Sequence, residues 1–204
     1  SSPRCSSWAG CSTVTAATST IIFGGTSAQA VNLAGRPFWN LLVTNVSGVV
    51  TFNGGCSARE LRCDGGTGVL SMAFQAGATF AIRDVVTLGL ESATNIVWRS
   101  TAPGSAWRLN VSGYESVDGI DVQDSDATGG KAIYPLHSKD SGGNSNWFFD
   151  TACLWQGTIS SNFHTAANWT PAIVPDATTP VVVLTNNPMV IPSAVTVLKM
   201  TVGG

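Results

Sequence analysis

Four aspartates stand close together in this chain, at Asp118, Asp121, Asp124 and Asp126. They are the residues whose spacing most invites a chemical reading. Calcium takes about six to eight oxygens from carboxylates and carbonyls, but the spaced D-x-D-x-D-G-x5-E loop is absent. The segment DSDATGG is equally explained by Asp and Ser capping a turn. Glycoside hydrolysis needs two carboxylates across a sugar groove, and Asp121 with Asp124 or Asp126 is the candidate pair. Alternation along Ile120 to Gln123 sets Asp121 outward beside inward Ile120 and Val122, which favours a solvated corner over a catalytic pair. The expectation is therefore no catalytic residue, no metal and no cofactor.

The remaining reactive residues are scattered. His137 (PLHSK) and His164 (NFHTA) are isolated in loop-like contexts, and no G-x-S-x-G, P-loop or dinucleotide fingerprint occurs. Of seven tryptophans, Trp98, Trp107 and Trp147 lie in apolar runs that suit core packing. Trp155 and Trp169, set among Gly and Asn, are the better candidates for an exposed sugar platform. Asn45-Val-Ser, Asn110-Val-Ser and Asn168-Trp-Thr match the glycosylation sequon. The five cysteines fall as Cys5/Cys11, Cys56/Cys63 and an odd Cys153. Neither pair has zinc-type spacing, so two local disulfides, Cys5–Cys11 and Cys56–Cys63, are expected in an oxidising compartment. Cys153 is then either inert in a core or paired with another chain.

Positioning these residues falls to short strands. Apolar runs recur along 95–149 (Ile96 to Trp98; Trp107, Leu109 and Val111; Ile120 and Val122; Ile133; Trp147 to Phe149) and alternate with polar residues at period 2. Earlier runs are Ser19 to Phe23, Ala30 to Leu33, Asn40 to Val43, Val49 to Phe52, Val69 to Phe74, Thr79 to Ile82 and Val85 to Leu90. Later ones are Pro180 to Leu184, Met189 to Ile191 and Val195 to Val202. No window carries a helical stripe. Residues 54–68, with two Gly pairs and two cysteines, read as a projecting loop. Five of the nine prolines follow Trp155, marking a change of texture near Asp150. The expected organisation is an irregular cap at 1–18, a ladder over 19–150 and a Trp/Pro-rich segment with terminal strands over 151–204.

Charged residues are 11% of the chain against 44% hydrophobic, far below the usual ~25% charged. Hydroxyls, amides and backbone must then solubilise the surface, a habit of secreted β-rich proteins. A net charge of −2 excludes a generic nucleic-acid binder, and no apolar run is long enough for a membrane span. Residues 1–110 carry seven basic and four acidic side chains, or +3, while 111–204 carry three and eight, or −5. Even cadence, several-residue Gly/Ser/Asp/Asn corners and few two-residue hairpin turns favour a coil of three strands per turn over a sandwich or barrel.

Three stretches strengthen that reading: STIIFGGTSAQAVNLAGRPFWNLLVTN, IVWRSTAPGSAWRLNVSG with IDVQDSDATGG and SGGNSNWFF, and LWQGTISSNFHTAANWTPAIVPDATTPVVV. Together they resemble the repeat regions of large secreted and surface bacterial proteins, filamentous adhesin-like. The resemblance implies an all-β, right-handed parallel β-helix (β-solenoid) and brings no catalytic residues with it. In such proteins a segment like VTVLKMTVGG leads into rungs like STIIFGG, so the end of this chain is expected to continue into its own beginning.

An uncovered sheet edge recruits strands, and a heterologous contact that does not close yields a filament. The functional expectation is therefore a secreted, non-enzymatic structural subunit forming a head-to-tail homopolymer. Its joint would use Ser19, Ile21 and Phe23 on one side and Val181, Val183, Val195, Val197, Met200 and Val202 on the other. The alternatives are a glycan-binding adhesin module contacting a cell surface and a polysaccharide-degrading β-helix enzyme.

Overall fold

The computed structural model describes residues 18–33, 35–89, 95–149, 153–170, 172–176, 179–183, 185, 187–197 and 199–202. The chain forms two compact units, Ser1–Phe149 and Asp150–Gly204. Apart from Thr18, the cap expected at 1–18, with Cys5 and Cys11, lies outside the described residues.

Unit 1 is a parallel β-solenoid, of about six turns. Its strands are β1 (Thr20–Phe23), β2 (Gln29–Asn32), β3 (Pro37–Val43), β4 (Val50–Asn53), β5 (Cys56–Asp64), β6 (Leu70–Phe74) and β7 (Thr79–Leu88). They continue as β8 (Ile96–Ser100), β9 (Trp107–Val111), β10 (Glu115–Ser116), β11 (Ile120–Val122), β12 (Ser125–Asp126) and β13 (Lys139–Asp140). One sheet runs β1-β3-β5-β7-β9-β12, with β10 beside β7, and the other runs β13-β11-β8-β6-β4-β2. Every second strand pairs, because the chain visits the other sheet before returning to lie parallel on its own previous turn.

The long strands β3, β5 and β7 each wrap a corner. A flat strand alternates inward and outward side chains, yet Trp39-Asn40, Arg59-Glu60 and Arg83-Asp84 are consecutive residues on the outside, each flanked by buried positions. The split at the corner is visible again one turn on: β9 pairs with Thr79–Ile82 and β10 with Val85–Val86. Each such strand therefore supplies two faces of the coil, and the shorter strands β2, β4, β6 and β8 supply the third.

In-register stacking puts like on like. Ile21, Leu41, Leu61 and Val85 form one inward column, and Phe23, Val43, Cys63 and Thr87 another. Phe23 meets Phe52 at 5.1 Å, Phe52 meets Phe74 at 5.8 Å, Phe74 meets Trp98 at 5.5 Å and Trp98 meets Trp147 at 6.4 Å, all edge to face. This aromatic spine runs through the coil and uses the ring geometry that aromatic pairs prefer. Turns pack as tightly as strands. A Cβ at Gly55 would run into the backbone carbonyl of Thr79 on the next turn, so only glycine fits there.

The structure corrects the reading of residues 54–68. The segment is not a projecting loop: Cys56–Asp64 is the strand between β3 and β7. Cys56 and Cys63 lie on opposite arms of its corner at Arg59-Glu60, and each arm of three extended residues spans about 10 Å. A disulfide requires Cα atoms within about 7 Å, so these two cannot bridge each other, and both are free and buried.

Unit 2 contains β14 (Cys153–Trp155), a single 3-10 turn at Ala166–Asn168, β15 (Trp169–Thr170), β16 (Pro180–Val183) and β17 (Lys199–Val202). Its sheet order is β15-β14-β16-β17, with β14 antiparallel to β15 and parallel to β16, and β16 parallel to β17. Cys153, Trp155, Phe163, Trp169 and Val181 form its core.

Candidate functional site

The aspartates are the first candidates, and the fold gives each a separate structural task. Asp118 accepts a contact from His137 Nδ1 at 2.9 Å. Asp124 sits in the left-handed region at φ 57° and accepts the Gly104 N–H at 2.9 Å. Asp126 accepts both the N–H and the hydroxyl of Thr128, at 3.0 and 2.6 Å, and these bonds hold its carboxyl below the ordinary range. Among the described residues no group of three or more His, Cys, Asp or Glu is arranged to hold a metal ion.

Asp121 sits in the densest polar cluster. Arg99 Nη2 lies 2.8 Å and Lys139 Nζ 3.5 Å from Asp121 Oδ2, and the Ser141 hydroxyl donates to Oδ1 at 2.6 Å. Arg99 also donates to the carbonyls of Trp98 and Asp121, at 3.0 and 2.7 Å. Burial opposes the charge on Asp121, but the Arg99 and Ser141 hydrogen bonds and the two cations outweigh it and lower its pKa. A general acid needs a raised pKa, and a nucleophile needs an open face. Asp121 has neither, because its ligands bind three successive turns of the coil together. The sequence did not reveal Arg99, Lys139 and Ser141 as its partners, since only the stacking of β8, β11 and β13 brings them together.

The expected sugar platform is corrected as well. Trp155 and Trp169 are buried at 1% and 2% exposure, with centroids 5.0 Å apart. Their indole N–H groups donate to the carbonyls of Asn187 and Phe163, at 3.2 and 2.7 Å. His164 Nε2 contacts Ser193 Oγ at 3.1 Å. Two of the sequon asparagines are wholly buried and committed: Asn45 to the backbone of Ser27, Ser47 and Gly48, and Asn168 to four bonds within its own loop. The Cys56 thiol is pushed up to about 12 by burial, and burial with the nearby Asp176 charge raises Cys153. Cys153 is fully enclosed, which removes it as a link to another chain.

What is left open are strand edges. β1 and β2 terminate the two sheets of unit 1 at one end, β12 and β13 terminate them at the other, and β15 and β17 terminate the sheet of unit 2; β1, β2 and β17 are each paired on one side only among the described residues. Ser19 is exposed ahead of β1, Ile21 is half-buried at the margin of the core, and Phe23 is buried. On the other side Val181 is fully buried, and Val183, Val195 and Val197 pack partly buried around the unit 2 core. Met200 and Val202, on β17, are 44% and 68% exposed. Ile22, missed by the sequence reading because it faces outward, is 58% exposed on β1. An edge of this kind presents a row of unpaired N–H and C=O groups ready to pair with another strand.

The fold defines the class: a parallel β-solenoid followed by a small, separate β unit. No family model matches the chain, and neither a curated protein nor a solved structure matches it.

Proposed function

We propose that the protein is a secreted structural subunit that assembles head to tail, by β-strand addition, into an extracellular filament. The observation carrying this reading is that two edges half-paired among the described residues, β1 in unit 1 and β17 in unit 2, each lie in a parallel ladder. Adding β17 of one subunit beside β1 of the next extends a parallel ladder without reversing it, a β-augmentation. Because the two edges differ, the contact is heterologous and propagates instead of closing on itself.

Two further features support it. Exposed large apolar residues occur on both units, among them Ile22 on β1 and Met200 and Val202 on β17, the two strands that strand addition would cover. Low charge, with hydroxyls and amides in its place, suits an extracellular material. The polar clusters act as braces, which supports a mechanical role over a catalytic one. The glycan-module alternative relied on Trp155 and Trp169, and both are buried.

Negative-stain microscopy of the whole protein tests the reading. Filaments are expected from the intact chain, and dispersed monomers from a chain lacking 178–204 or carrying Met200→Lys with Val202→Lys. Filaments that persist in both variants would overturn strand addition through β17.

A further inference from the structure

Resting on strand addition, we infer that the joint has a single register: Lys199, Met200, Thr201 and Val202 of one subunit lie beside Thr20, Ile21, Ile22 and Phe23 of a second copy.

The columns of the coil set the requirement. Below Ile21 stand Leu41, Leu61 and Val85, and below Phe23 stand Val43, Cys63 and Thr87. Both columns are inward and largely apolar, and both end at β1, where Ile21 is left half-buried against the core. Whatever lies on β1 must set an apolar residue over Ile21 and another over Phe23, two positions apart. The column between them, Ile22, Leu42, Arg62 and Val86, faces outward and accepts either kind.

β17 meets this requirement through Met200 and Val202. Met200 and Val202 are two positions apart and exposed, and Met200 pairs with Val181, which places it on the sheet face that carries the unit 2 core. With Met200 on Ile21 and Val202 on Phe23, both inward columns gain one more apolar member. A slip of one residue moves the whole apolar set to the opposite face. A slip of two in one direction sets Gly204 on Phe23 and leaves that column without an apolar partner, whereas in the other it sets Leu198 and Met200 on Ile21 and Phe23, so the flanking glycines decide between these two alignments. The sequence on either side agrees: Phe23 is followed by Gly24-Gly25 and Val202 by Gly203-Gly204, so the alignment also matches the glycine pairs that follow the strands. The occupant is a second copy of this chain, because β17 carries both the matching apolar spacing and the matching glycine pair.

Cysteine cross-linking between two singly substituted populations of the full chain tests the register. Registered neighbours in a parallel pair lie about 4.8 Å apart, inside the Cα range a disulfide spans. Thr201→Cys protein mixed with Ile22→Cys protein and mildly oxidised should give a 22–201 linked peptide by mass spectrometry. Thr201→Cys mixed with Thr20→Cys, two positions away, should give at least ten-fold less. Hydrogen exchange supplies a second readout that needs no substitution: assembly should protect the amides of both 20–23 and 199–202. A 20–201 link that forms as readily as 22–201, or filaments that show no 22–201 link, would overturn the register while leaving strand addition standing. The absence of any assembly, with 20–23 and 199–202 exchanging freely, would overturn strand addition itself.

Discussion

Phe74 and Trp107 lie face to face inside the coil, with ring centroids 3.9 Å apart and planes 8° from parallel. They come from different sheets, β6 and β9, so the stack joins two walls of the solenoid at its interior corner. Both are wholly buried, and Phe80 and Trp98 approach the same indole edge-on at 6.0 Å. Trp107→Ala should therefore leave a large cavity at the junction of several turns. It is expected to destabilise unit 1 by about 3–5 kcal/mol, and Trp107→Phe by clearly less. Urea titration followed by far-UV circular dichroism gives the difference. A loss under 1 kcal/mol for the alanine variant would show that the corner collapses without cost.

The Asp121 cluster predicts acid sensitivity with a defined sign. A carboxyl whose pKa is lowered in the folded state contributes stability that is present above its unfolded value, about 3.9. That contribution is lost as pH falls through the folded value. Asp126 is lowered as well, through Thr128, so both act in the same window. Melting temperature should be flat above about pH 5 and decline below about pH 4. Asp121→Asn should remove about 1–3 kcal/mol at neutral pH, because Arg99 loses its buried partner, and should flatten the acid decline. An unchanged acid slope in this variant would mean that other carboxylates govern it.

The three described cysteines should behave as core residues. Cys56, Cys63 and Cys153 are at most 4% exposed, and burial raises all three thiols. A thiol reacts as the thiolate, so none should react with an aromatic disulfide reagent until the protein is unfolded. Peptide mapping under non-reducing conditions should find no 56–63 link. Finding one would mean that 56–63 is a closed loop and not the strand described above.

How far the sequence foretold the molecule depends on whether period 2 survives in each stretch. Leu70–Phe74 and Ile96–Ser100 alternate cleanly, and their inward residues were legible. Cys56–Asp64 was not, for a physical reason. Its buried residues are Cys56, Ala58, Leu61 and Cys63, and the corner at Arg59-Glu60 inserts an extra outward residue that breaks the alternation. Four charges on the outside and two cysteines then imitate a disulfide loop. Trp155 and Trp169 were misjudged because what buries them comes from elsewhere in unit 2: Phe163 packs against Trp169 at 4.9 Å, and Cys153 on β14 pairs with Val181 on β16. Asp121 is not the solvated corner that the alternation suggests: it is buried within β11, because partners on the neighbouring turns cover it. Local pattern shows which way a residue faces, and only the stacking register shows what it meets.

Asn168 offers the sharpest test of unit 2, because it is both a sequon and a loop brace. Its Oδ1 accepts the N–H groups of Ile159 and Ser160, at 3.1 and 2.9 Å, and its Nδ2 donates to Ser160 Oγ and the Asn162 carbonyl, both at 3.0 Å. The side chain thus ties 159–162 against the 3-10 turn that carries it and sets Trp169 beneath Phe163. Every position where a glycan would attach is already used, and the residue is fully buried. Folded protein recovered from a host that glycosylates secreted chains should carry no glycan at Asn168, nor at the equally buried Asn45. Asn168→Ala should strip the Ile159 and Ser160 N–H groups of their acceptor and cost unit 2 about 1–2 kcal/mol, while Asn168→Asp, which keeps the acceptor, should cost less. Hydrogen exchange resolved by segment separates the effects. Protection should drop across 153–170 in the alanine variant and remain unchanged across 37–88. Equal loss in both segments would show that Asn168 supports the whole chain and not this loop.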